Sequence, residues 1–506
     1  DWPISRARYW GTPLPIWICD KCSNQKVFGN IASLEKASGK KIADPHKPWI
    51  DAITVPCSCG GTMKRVPEVL DVWFDSGASS WGALGYPAKK ELFEKFWPAD
   101  LNIEATEQVR GWWNSQLICS TICFDEKPFK AVGVHGMILD LAKKKMSKSA
   151  GSFTDPKEIT EKFSRDYLRY FLAKKSTGQD LVFDWNEMKD IQKFFTILYN
   201  TYKFAHLYLD VTAEPHPINS KELKIEDQWL LSKTHSITQK CLKHYNEHEY
   251  YKAANLLEEF LVEDVSRTYI KTIRNRIRSP SQAGVKTALQ NALFSTIQLW
   301  APMLPHLTEH LYQSLRSEKS PESIHLIEYA ILDSKRYKKE LEQEFENAKE
   351  LVQNVLSLRE EQKKKLRWPL KELVIVTKNA KDFSNTLSFI QSMTNIKKSS
   401  ETKQEPKGNW AKKTTKTYQV FLDVQADQAL KEEWELTELR RKVQELRKKH
   451  KLDPEKIVVL ELASDDPDFI QKFGKELEKA TRTHIVPGTG KKEKLLEKSF
   501  FLQLKK

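Results

Sequence analysis

A strand, helix and strand pattern in the first third of the chain most constrains its fold. Residues 69–74, 101–105 and 129–139 have the apolar character of strands, and an amphipathic helix pattern covers about 107–124 between the last two. This order predicts a parallel pair joined by a right-handed crossover. Ligands of open α/β sheets bind beyond the carboxyl ends of the strands. Glu104 and His135 lie at or near those ends, so we expect a binding site there.

Two lysines framed by small residues follow the second strand. Residues 145–149 read KMSKS, and residues 150–152 read AGS. Mobile ammonium groups on such a loop can meet the negative charge that develops on a departing pyrophosphate. The alternative is a solvated basic loop, because the run of lysines begins two residues earlier, at Lys143.

Four further segments share one family pattern with the KMSKS loop. They are residues 1–6 (DWPISR), 8–13 (RYWGTP), 71–77 (DVWFDSG) and 108–112 (QVRGW). With them the chain resembles the class I aminoacyl-tRNA synthetases, whose second nucleotide signature is KMSKS. It is similar above all to the isoleucyl-tRNA synthetase pattern of the archaeal and eukaryotic-like branch. The resemblance covers nearly the whole chain and is strongest over its first 185 residues or so.

The resemblance implies an aminoacyl-tRNA ligase that joins L-isoleucine to tRNA(Ile) through isoleucyl-adenylate, with ATP and Mg²⁺ as the nucleotide substrate. Residues 8–13 and 71–77 favour isoleucine. Valyl- and leucyl-tRNA synthetases share the loop and the general layout, and they stay open as alternatives. A tRNA-binding paralogue without catalysis is a third alternative, against which the intact KMSKS sequence argues.

By the resemblance, Lys148 contacts the ATP phosphates most directly and Lys145 assists it, so both are the predicted catalytic residues. The resemblance implies the remaining ATP or adenylate contacts for Glu104, Glu107, Gln108, His135, Gly136, Met146, Ser147 and Ser149. The segment EATEQ at 104–108 departs from the common Glu-Gly-x-Asp-Gln form in its second and fourth residues. For Glu107 the alternative is an acid that only complements the helix dipole.

Trp73 and Trp112 are the candidate walls of the amino-acid pocket. Flat indole rings can contact a branched aliphatic side chain over its whole surface. In the family, tryptophans of these two motifs border the isoleucine side chain, and the alternative is that both are ordinary core residues.

Two cysteine pairs, Cys19 with Cys22 and Cys57 with Cys59, are predicted to hold a structural Zn²⁺. Four thiolates supply a tetrahedral site, and the bound metal stabilises a small module that lacks a large core. The second pair is one residue tighter than the usual spacing, and free thiols are the alternative. Three further thiols are expected in the core: Cys119, Cys123 and Cys241.

The chain starts with Asp1 rather than methionine, and it contains no His-x-Gly-His, the first nucleotide signature of the family. We therefore expect the C-terminal two thirds or so of an enzyme, without the first half of the catalytic fold and without the editing domain. The isolated chain is expected to be inactive. Activity would need the missing N-terminal half, either in cis or in trans as a separately encoded chain.

A chain of 506 residues is too long for a single core, so we expect several domains of α/β and α type. The predicted order is a zinc-knuckle-like module (1–67), the second half of a Rossmann-type catalytic domain (68–184), an α-helical anticodon-binding bundle (185–333), and a charged helix with one or two small α+β domains (334–506). The lysine-rich segment 397–416 is expected to be a flexible excursion. We find no internal repeat in the sequence.

A formal net charge of +14 indicates a polyanionic partner. Basic helix patterns at 267–278 and 432–449 are candidate tRNA contacts, with Tyr269 available to stack on a base. The alternative for both is a solvated charged face. The sequence has no apolar run of bilayer length and no signal-peptide layout at its first residues, so we expect a cytoplasmic protein that does not bind membranes.

Overall fold

The computed structural model describes residues 2–146, 153–212, 220–274, 276–277, 282–329, 337–378, 382–453 and 456–505. The chain divides into two compact units. The first comprises Asp1–Met188 with His248–Tyr251, and the second comprises Lys189–Glu247 with Lys252–Lys506. Within the described ranges, no helix combines the length and the apolar character that crossing a bilayer requires.

The first unit begins with a small sheet that has its own core. In chain order the elements are β1 (Ser5–Arg6), β2 (Ile16–Cys19), β3 (Gln25–Val27), α1 (Ile31–Ser38), β4 (Val55–Pro56) and β5 (Thr62–Arg65). Strands β3, β2, β5 and β4 form an antiparallel sheet in that order. Trp17, Phe28 and Leu34 are buried between this sheet and α1. The core is small, as the sequence predicts for a metal-stabilised module.

The strand, helix and strand pattern is confirmed in the second part of this unit. Its elements are β6 (Val69–Leu70), α2 (Val72–Gly77), α3 (Ser79–Gly82), α4 (Lys90–Phe96), β7 (Ala99–Ala105), α5 (Trp112–Phe124) and β8 (Phe129–His135). Strands β7 and β8 are parallel, and α5 connects them. The helix predicted from residue 107 begins instead at Trp112, after a 3-10 turn at Thr106–Val109.

The prediction of one strand over residues 69–74 is wrong. The strand ends at Leu70, because the side chain of Asp71 accepts a hydrogen bond from the backbone N–H of Trp73 and so starts α2. The prediction of one strand over 129–139 is also wrong, since the chain leaves β8 after His135.

Four short elements complete the first unit. They are β9 (Ile138–Leu139), α6 (Pro156–Lys162), α7 (Arg165–Lys175) and β10 (Leu181–Val182). Strand β9 pairs in parallel with β10 rather than with β7. Helix α6 starts with Asp155, whose side chain accepts a hydrogen bond from the backbone N–H of Lys157, and Pro156 occupies its first turn.

The predicted core position of one thiol is wrong. Cys119 and Cys241 are buried, whereas Cys123 is exposed. Cys123 lies in the last turn of α5 beside the exposed Ile122, whereas the next residue, Phe124, packs against Trp81 and Trp97.

A helical bundle follows, as predicted. Its elements are α8 (Trp185–Leu209), α9 (Ile225–Asn246), α10 (Tyr250–Glu259), a π-helix (Phe260–Tyr269), α11 (Ile270–Ile273), α12 (Gln282–Trp300) and α13 (Pro305–Leu315). Helix α12 is buried on all sides, which makes it the centre of the bundle. Helix α12 ends at Trp300, and Pro305 occupies the first turn of α13, where a proline is well tolerated.

The C-terminal part contains an internal repeat, contrary to the sequence-based expectation. The first repeat consists of α14 (Lys339–Glu361), β11 (Leu370–Thr377), α15 (Leu387–Thr394), β12 (Ile396–Thr402), β13 (Ala411–Thr414) and β14 (Tyr418–Leu422). The second repeat consists of α16 (Gln428–Lys449), β15 (Val458–Ser464), α17 (Pro467–Thr481), β16 (Thr483–Val486), β17 (Lys491–Leu495) and β18 (Lys498–Lys505). The strand orders β12-β11-β14-β13 and β16-β15-β18-β17 are the same. In each repeat the first strand is parallel to the second and antiparallel to the fourth.

The prediction of a flexible excursion at 397–416 is wrong. This segment forms β12 and β13, the two edge strands of the first repeat's sheet. An edge strand has one paired side only, and lysines along it discourage pairing with other chains. Its low apolar content therefore reflects its position in the sheet rather than an absence of structure.

Candidate active site and metal centre

The carboxyl ends of β7 and β8 bring the two predicted ligand residues to one sheet edge. The register pairs Glu104 with Val134 and Ala105 with His135. Glu104 is half-buried, and His135 is exposed with its Nδ1 2.9 Å from the carbonyl oxygen of Gly136. Both residues thus lie at the carboxyl ends of the parallel strands, where the sequence predicts them.

Gly136 is required by a close approach of two backbone segments. A Cβ at this position would lie 2.1 Å from the carbonyl carbon of Gln179 and 2.3 Å from the backbone nitrogen of Asp180. Asp180 also accepts a hydrogen bond of 2.7 Å from the backbone N–H of Met137. The chain that leaves β8 is thus held directly against the segment before β10.

Gln108 positions the start of α5. Its Oε1 accepts a hydrogen bond of 2.9 Å from the backbone N–H of Trp112, one of the N–H groups that the first turn of a helix leaves without a partner. Glu107 is exposed in the 3-10 turn between β7 and α5. The helix thus begins within a short turn of the sheet edge, where its N-terminal end favours an anion.

The two predicted pocket tryptophans lie where α2 meets α5. The Trp112 indole donates 2.8 Å to the carbonyl oxygen of Ser76, and a Cβ on Gly111 would lie 3.5 Å from Trp73. Trp73 is 42% exposed and Trp112 is half-buried, so neither has the burial of a core tryptophan. Gly77 lets the helices approach, because a Cβ there would lie 2.9 Å from the Ser115 carbonyl oxygen.

Asp71 joins two motifs that the sequence shows separately, DWPISR and DVWFDSG. Its buried carboxylate accepts hydrogen bonds of 2.9 Å from Trp2 Nε1 and from Arg6 Nη2. Burial alone would raise the pKa of Asp71, but hydrogen bonds from Trp2 and from the Trp73 backbone, together with the charge of Arg6, hold that pKa below its ordinary value. The sequence analysis did not identify Asp71 or Arg6 as partners. The signal that could have indicated the pair is an arginine in the first motif and an aspartate in the second.

A tight turn sets the start of the KMSKS loop. Leu139 in β9 forms an antiparallel bridge with Lys145. Between them, Asp140 Oδ1 accepts a hydrogen bond of 2.9 Å from the backbone N–H of Lys144, and Lys143 has a left-handed backbone with φ of +59°. Lys145 therefore stands directly beside the strand that follows the sheet edge.

The structure places only the first two residues of the loop. Lys145 is exposed and Met146 is half-buried. The other predicted contacts lie outside the described residues: Ser147, Lys148 and Ser149. Helix α6, which follows the loop, is anchored by its N-cap, so both flanking elements are well defined.

The four cysteines predicted to bind zinc come together at one end of the N-terminal sheet. Their sulfur atoms all lie within 4.8 Å of one another. The Cys19 and Cys59 sulfurs are 3.5 Å apart, and those of Cys22 and Cys57 are 3.7 Å apart. A tetrahedral zinc with Zn–S bonds of about 2.3 Å separates its sulfurs by roughly 3.8 Å, so these thiols fit such a site.

Backbone groups shape this cluster. A Cβ on Gly61 would lie 2.7 Å from Cys19 Sγ, so only glycine leaves room for that sulfur. A hydrogen bond from the backbone N–H of Cys59 is the largest influence that lowers the pKa of Cys57 to about 7. Hydrogen bonding with Cys22 is the largest influence that raises the pKa of Cys59 to about 12. One thiolate is thus favoured near neutral pH.

The first helix segment predicted to contact RNA is used largely for internal packing. Tyr269 is fully buried and donates a hydrogen bond of 2.7 Å to Asp227, so it is not available to stack on a base. Arg276 is also buried and pairs with both oxygens of Asp227, at 2.9 and 2.7 Å, and with Glu226 at 2.5 Å. Arg274 is exposed, and Arg278 lies outside the described residues.

The second basic segment, in α16, is also partly internal. Arg447 is buried and donates hydrogen bonds to three backbone carbonyls. Arg441 and Lys442 form ion pairs with carboxylates of the same repeat. Lys448 and Lys449 are exposed at the helix end. Charge counting overestimated the phosphate contacts that these two segments offer.

Two family models match the chain. Residues 1–184 match the class I tRNA synthetases for isoleucine, leucine, methionine and valine, and residues 227–375 match the anticodon-binding domain of tRNA ligases. The first match contains the sheet edge, the tryptophans and the start of the KMSKS loop, and the second contains most of the helical bundle.

Curated relatives are 35–40% identical to this chain over the aligned residues. The isoleucine--tRNA ligase of Methanoregula boonei is 39% identical over 394 residues, which cover 74% of this chain and 37% of that protein. That of Archaeoglobus fulgidus is 40% identical over 382 residues, with the same coverage of 74% and 37%. The chain thus spans less than half the length of the curated relatives it matches.

One solved structure, that of Agrobacterium radiobacter K84 agnB2 LeuRS in a ternary complex with tRNA and LeuAMS, superimposes with a TM-score of 0.50. At 20% identity it covers 67% of this chain and 43% of that chain, and it shows the fold alone. The parallel sheet edge with its KMSKS sequence, the helical bundle and the two family matches lead to one conclusion. The chain belongs to the class I tRNA synthetases, in the group specific for isoleucine, leucine, methionine and valine.

Proposed function

We propose that this chain supplies the KMSKS half of the active site and the tRNA-binding domains of an isoleucine--tRNA ligase. The isoleucine carboxylate attacks the α-phosphate of ATP and pyrophosphate leaves. A hydroxyl of the terminal ribose of tRNA(Ile) then attacks the carbonyl of the adenylate, takes the isoleucyl group and releases AMP. The protein contributes positioning and charge stabilisation rather than covalent chemistry. The observation that carries the proposal is the meeting of Glu104 and His135 at one sheet edge, a few residues before the KMSKS loop.

The nucleotide residues divide into those that position and those that carry charge. Gln108 holds the N-terminus of α5, and Glu104 faces the ribose hydroxyls or the substrate ammonium. His135 and Gly136 form the floor beneath the nucleotide, where glycine admits close backbone approach. Lys148, with help from Lys145, neutralises the departing pyrophosphate.

The amino-acid pocket lies beside α5, where Trp73 and Trp112 border the isoleucine side chain. Their partial exposure supports this role, because a ligand would cover the indole faces that the protein leaves open. The helical bundle, over residues 185–333, binds the anticodon end of the tRNA. In chain order, the small module at 1–67 precedes these two domains and the repeats within 334–506 follow them.

The sheet formed by β7 and β8 supports the proposal that the N-terminal half of the enzyme packs against it. Strands β7 and β8 form a two-stranded sheet, and such a pair alone is only marginally stable in water. Three of its apolar side chains are open to solvent, with Ile103 53%, Val132 42% and Val134 36% exposed. Further strands from the N-terminal half of the enzyme, in cis or in trans, would pair with this sheet and cover those side chains.

The test joins the chain to an N-terminal half that carries His-x-Gly-His and measures ATP–pyrophosphate exchange with isoleucine, valine and leucine. Isoleucine is expected to support the fastest exchange. Lys148→Ala should slow it by about 10²–10³-fold, because a charge that stabilises the transition state is lost, while tRNA binding changes little. Lys157→Ala removes an exposed lysine of α6 and serves as the matched control.

Each outcome of this experiment is decisive. Exchange that depends on leucine or valine would replace the substrate assignment but keep the reaction. Binding of tRNA without any exchange would identify the non-catalytic paralogue. Equal rates for the Lys148→Ala and Lys157→Ala enzymes would overturn the assignment of Lys148.

The four-cysteine cluster is proposed to hold a structural Zn²⁺. Metal analysis of the purified chain should find about one zinc per molecule, and a chelator should unfold the module at 1–67. Cys22→Ser removes one ligand and is expected to abolish zinc retention, whereas Cys123→Ser, at an exposed thiol outside the cluster, leaves it intact. Chains that lack zinc but keep this module folded would contradict the proposal.

A further inference from the structure

Two of the sequence motifs have no assigned role in the proposed reaction, and both are connected to helix α2. The DWPISR motif reaches the start of the helix through Asp71. The RYWGTP motif reaches it through Thr12, whose hydroxyl donates a hydrogen bond of 3.1 Å to Asp75 Oδ2. Helix α2 is six residues long and carries Trp73, one proposed wall of the amino-acid pocket. A helix this short is unstable by itself, so contacts from the rest of the unit must fix its position.

The position of Trp73 is set by its backbone rather than by its side chain. The indole is 42% exposed, and its N–H forms no hydrogen bond with any residue that the structure describes. Only the far edge of the ring approaches α5, where a Cβ on Gly111 would lie 3.5 Å away. The backbone, in contrast, is held on both sides, because the Trp73 N–H donates 3.3 Å to Asp71 Oδ1 and the Trp73 carbonyl accepts 3.1 Å from the Ser76 hydroxyl. The first turn of α2 therefore determines where this pocket wall lies.

The two oxygens of the Asp71 carboxylate have different partners. Oδ1 caps α2 by accepting the hydrogen bond from the Trp73 N–H. Oδ2 accepts two hydrogen bonds of 2.9 Å, from Trp2 Nε1 and from Arg6 Nη2, and we call this pair of contacts the Asp71 junction. Asp71 is only 3% exposed, so water cannot replace a lost donor. One buried carboxylate thus connects the DWPISR motif to the first turn of α2.

The Asp71 junction is itself held by neighbouring backbone groups. Arg6 Nη1 donates hydrogen bonds to the carbonyl oxygens of Pro3 and Ser5, at 2.6 and 2.9 Å. Strands β1 and β6 pair in antiparallel fashion beside it, and the backbone N–H of Asp71 donates 2.8 Å to the carbonyl oxygen of Ile4. Because the Arg6 donor is fixed in this way, the carboxylate has a single orientation. That orientation is passed to α2 through the cap.

We propose that Asp71 is a positioning residue for the isoleucine pocket, and that it acts through Trp73. The inference rests on the proposed function, because it takes Trp73 as a wall of that pocket. Such a wall touches the substrate side chain in the ground state and in the transition state alike, so its displacement weakens isoleucine binding more than it slows the chemical step. The loss of contact penalises isoleucine more than the smaller valine, and discrimination between the two amino acids therefore falls.

The first test follows the Trp73 ring in the chain labelled with a fluorinated tryptophan. Its fluorine resonance is identified as the one that Trp73→Phe removes. Asp71→Asn keeps an oxygen that can cap α2, but it places an amide N–H₂ group against the donors of Trp2 and Arg6. The Trp73 resonance is expected to shift in this variant, and also in Trp2→Phe, which removes one donor and keeps an aromatic ring. A Trp73 resonance unchanged in both variants would overturn the proposal.

Asp51→Asn is the matched control, because it weakens another aspartate–arginine pair of the same unit. Asp51 accepts a hydrogen bond of 2.7 Å from Nε of the buried Arg65, and it has no contact with α2. This variant should lower the unfolding temperature of the first unit and leave the Trp73 resonance in place. Equal shifts of that resonance in Asp51→Asn and Asp71→Asn would mean that it reports general destabilisation, and Asp71 would have no special role in placing Trp73.

The second test measures ATP–pyrophosphate exchange by the chain joined to its N-terminal half. In Asp71→Asn the KM for isoleucine should rise about tenfold, because the wall is misplaced. The kcat and the KM for ATP should change by less than about twofold, since the nucleotide contacts are untouched. The ratio of kcat/KM for isoleucine to that for valine should fall about fivefold. A lower kcat for both amino acids with an unchanged KM would indicate fewer folded molecules, and the positioning role would be wrong.

A double-mutant cycle shows whether Trp2 acts through Asp71. Trp2→Phe should raise the KM for isoleucine in the otherwise unchanged enzyme, and it should have no further effect once Asp71→Asn is present. Additive effects would show that the two residues act separately and would contradict the Asp71 junction. The proposed function and this inference fail in different ways: an unchanged enzyme without any exchange refutes the function, whereas an active Asp71→Asn enzyme with unaltered isoleucine KM refutes the inference alone.

Discussion

Removal of the Arg276 side chain tests whether this residue holds the helical bundle together or contacts RNA. Arg276→Ala is expected to lower the free energy of unfolding by about 3–5 kcal/mol. Asp227 is 0% exposed, and Arg276 is its bidentate partner at 2.9 and 2.7 Å. After the substitution Asp227 keeps two neutral donors, the Tyr269 hydroxyl at 2.7 Å and the Lys224 backbone N–H at 2.9 Å. Neither supplies the compensating charge.

Urea unfolding gives the size of the loss, and hydrogen exchange of peptides from α9 and α12 shows whether the loss lies in the bundle. Arg274→Ala is the matched control, since this arginine is exposed two residues earlier and should change stability by less than about 0.5 kcal/mol. Arg276→Met combined with Asp227→Asn removes both charges and should recover much of the stability.

Binding of tRNA separates the two roles of Arg276. A packing role predicts that Arg276→Ala weakens tRNA binding only under conditions in which the bundle unfolds. A change in the free energy of unfolding of less than about 1 kcal/mol, together with weaker tRNA binding by the folded Arg276→Ala chain, would refute the packing role of Arg276.

Two further predictions concern the first unit. Gly136→Ala should destabilise this unit by about 2–3 kcal/mol, because the new Cβ would lie 2.1 Å from the Gln179 carbonyl carbon. In the control, Gly133→Ala, the new Cβ meets the exposed side chain of Ile103 at 3.1 Å, so the loss should be less than about 1 kcal/mol. Equal decreases in the unfolding temperature of the two variants would contradict this prediction. The pKa of Asp71 is lower in the folded state than in the unfolded state. The contribution of its ionised carboxylate to the free energy of unfolding is therefore complete above the unfolded pKa of about 3.9, and it is lost as the pH falls through the lower pKa of the folded state. Acid unfolding of Asp71→Asn should therefore be less steep below about pH 4, and slopes equal to those of the unchanged chain would exclude a role for Asp71.

Hydrophobic periodicity predicted the long helices and strands. It failed where the hydrogen bond of a single side chain determines where an element begins or ends. The strand, helix and strand unit around α5 was predictable because apolar alternation and helical spacing extend over many residues. The end of β6 was not, since Val72, Trp73 and Phe74 all favour strands and only the hydrogen bond that Asp71 accepts turns them into a helix. Local propensity could not show that Asp71 would also be held by Trp2 and Arg6.

Apart from the buried Arg359 and Arg447, the two copies share backbone geometry more than side chains, so the internal repeat was not visible in the sequence. The second strand is IKKSSET in the first repeat and THIV in the second, and the lysine-rich edge of the first sheet reads as unstructured. The clustering of the four cysteines was predictable, because the residue spacing within each pair is short and typical of thiol sites. The use of Arg276 in a buried ion pair was not, since charge alone does not distinguish a surface from a core.

The hydrogen bonds between backbone carbonyls and the buried Arg359 and Arg447 affect how the stability of the C-terminal repeats depends on salt concentration. The guanidinium groups of Arg359 and Arg447 are buried and donate hydrogen bonds to peptide carbonyls, and burial lowers the pKa of Arg359 to about 10, which still leaves it charged at neutral pH. Added salt screens exposed ion pairs but has little access to such interior contacts. A salt concentration high enough to dissociate bound nucleic acid should therefore leave both C-terminal repeats folded.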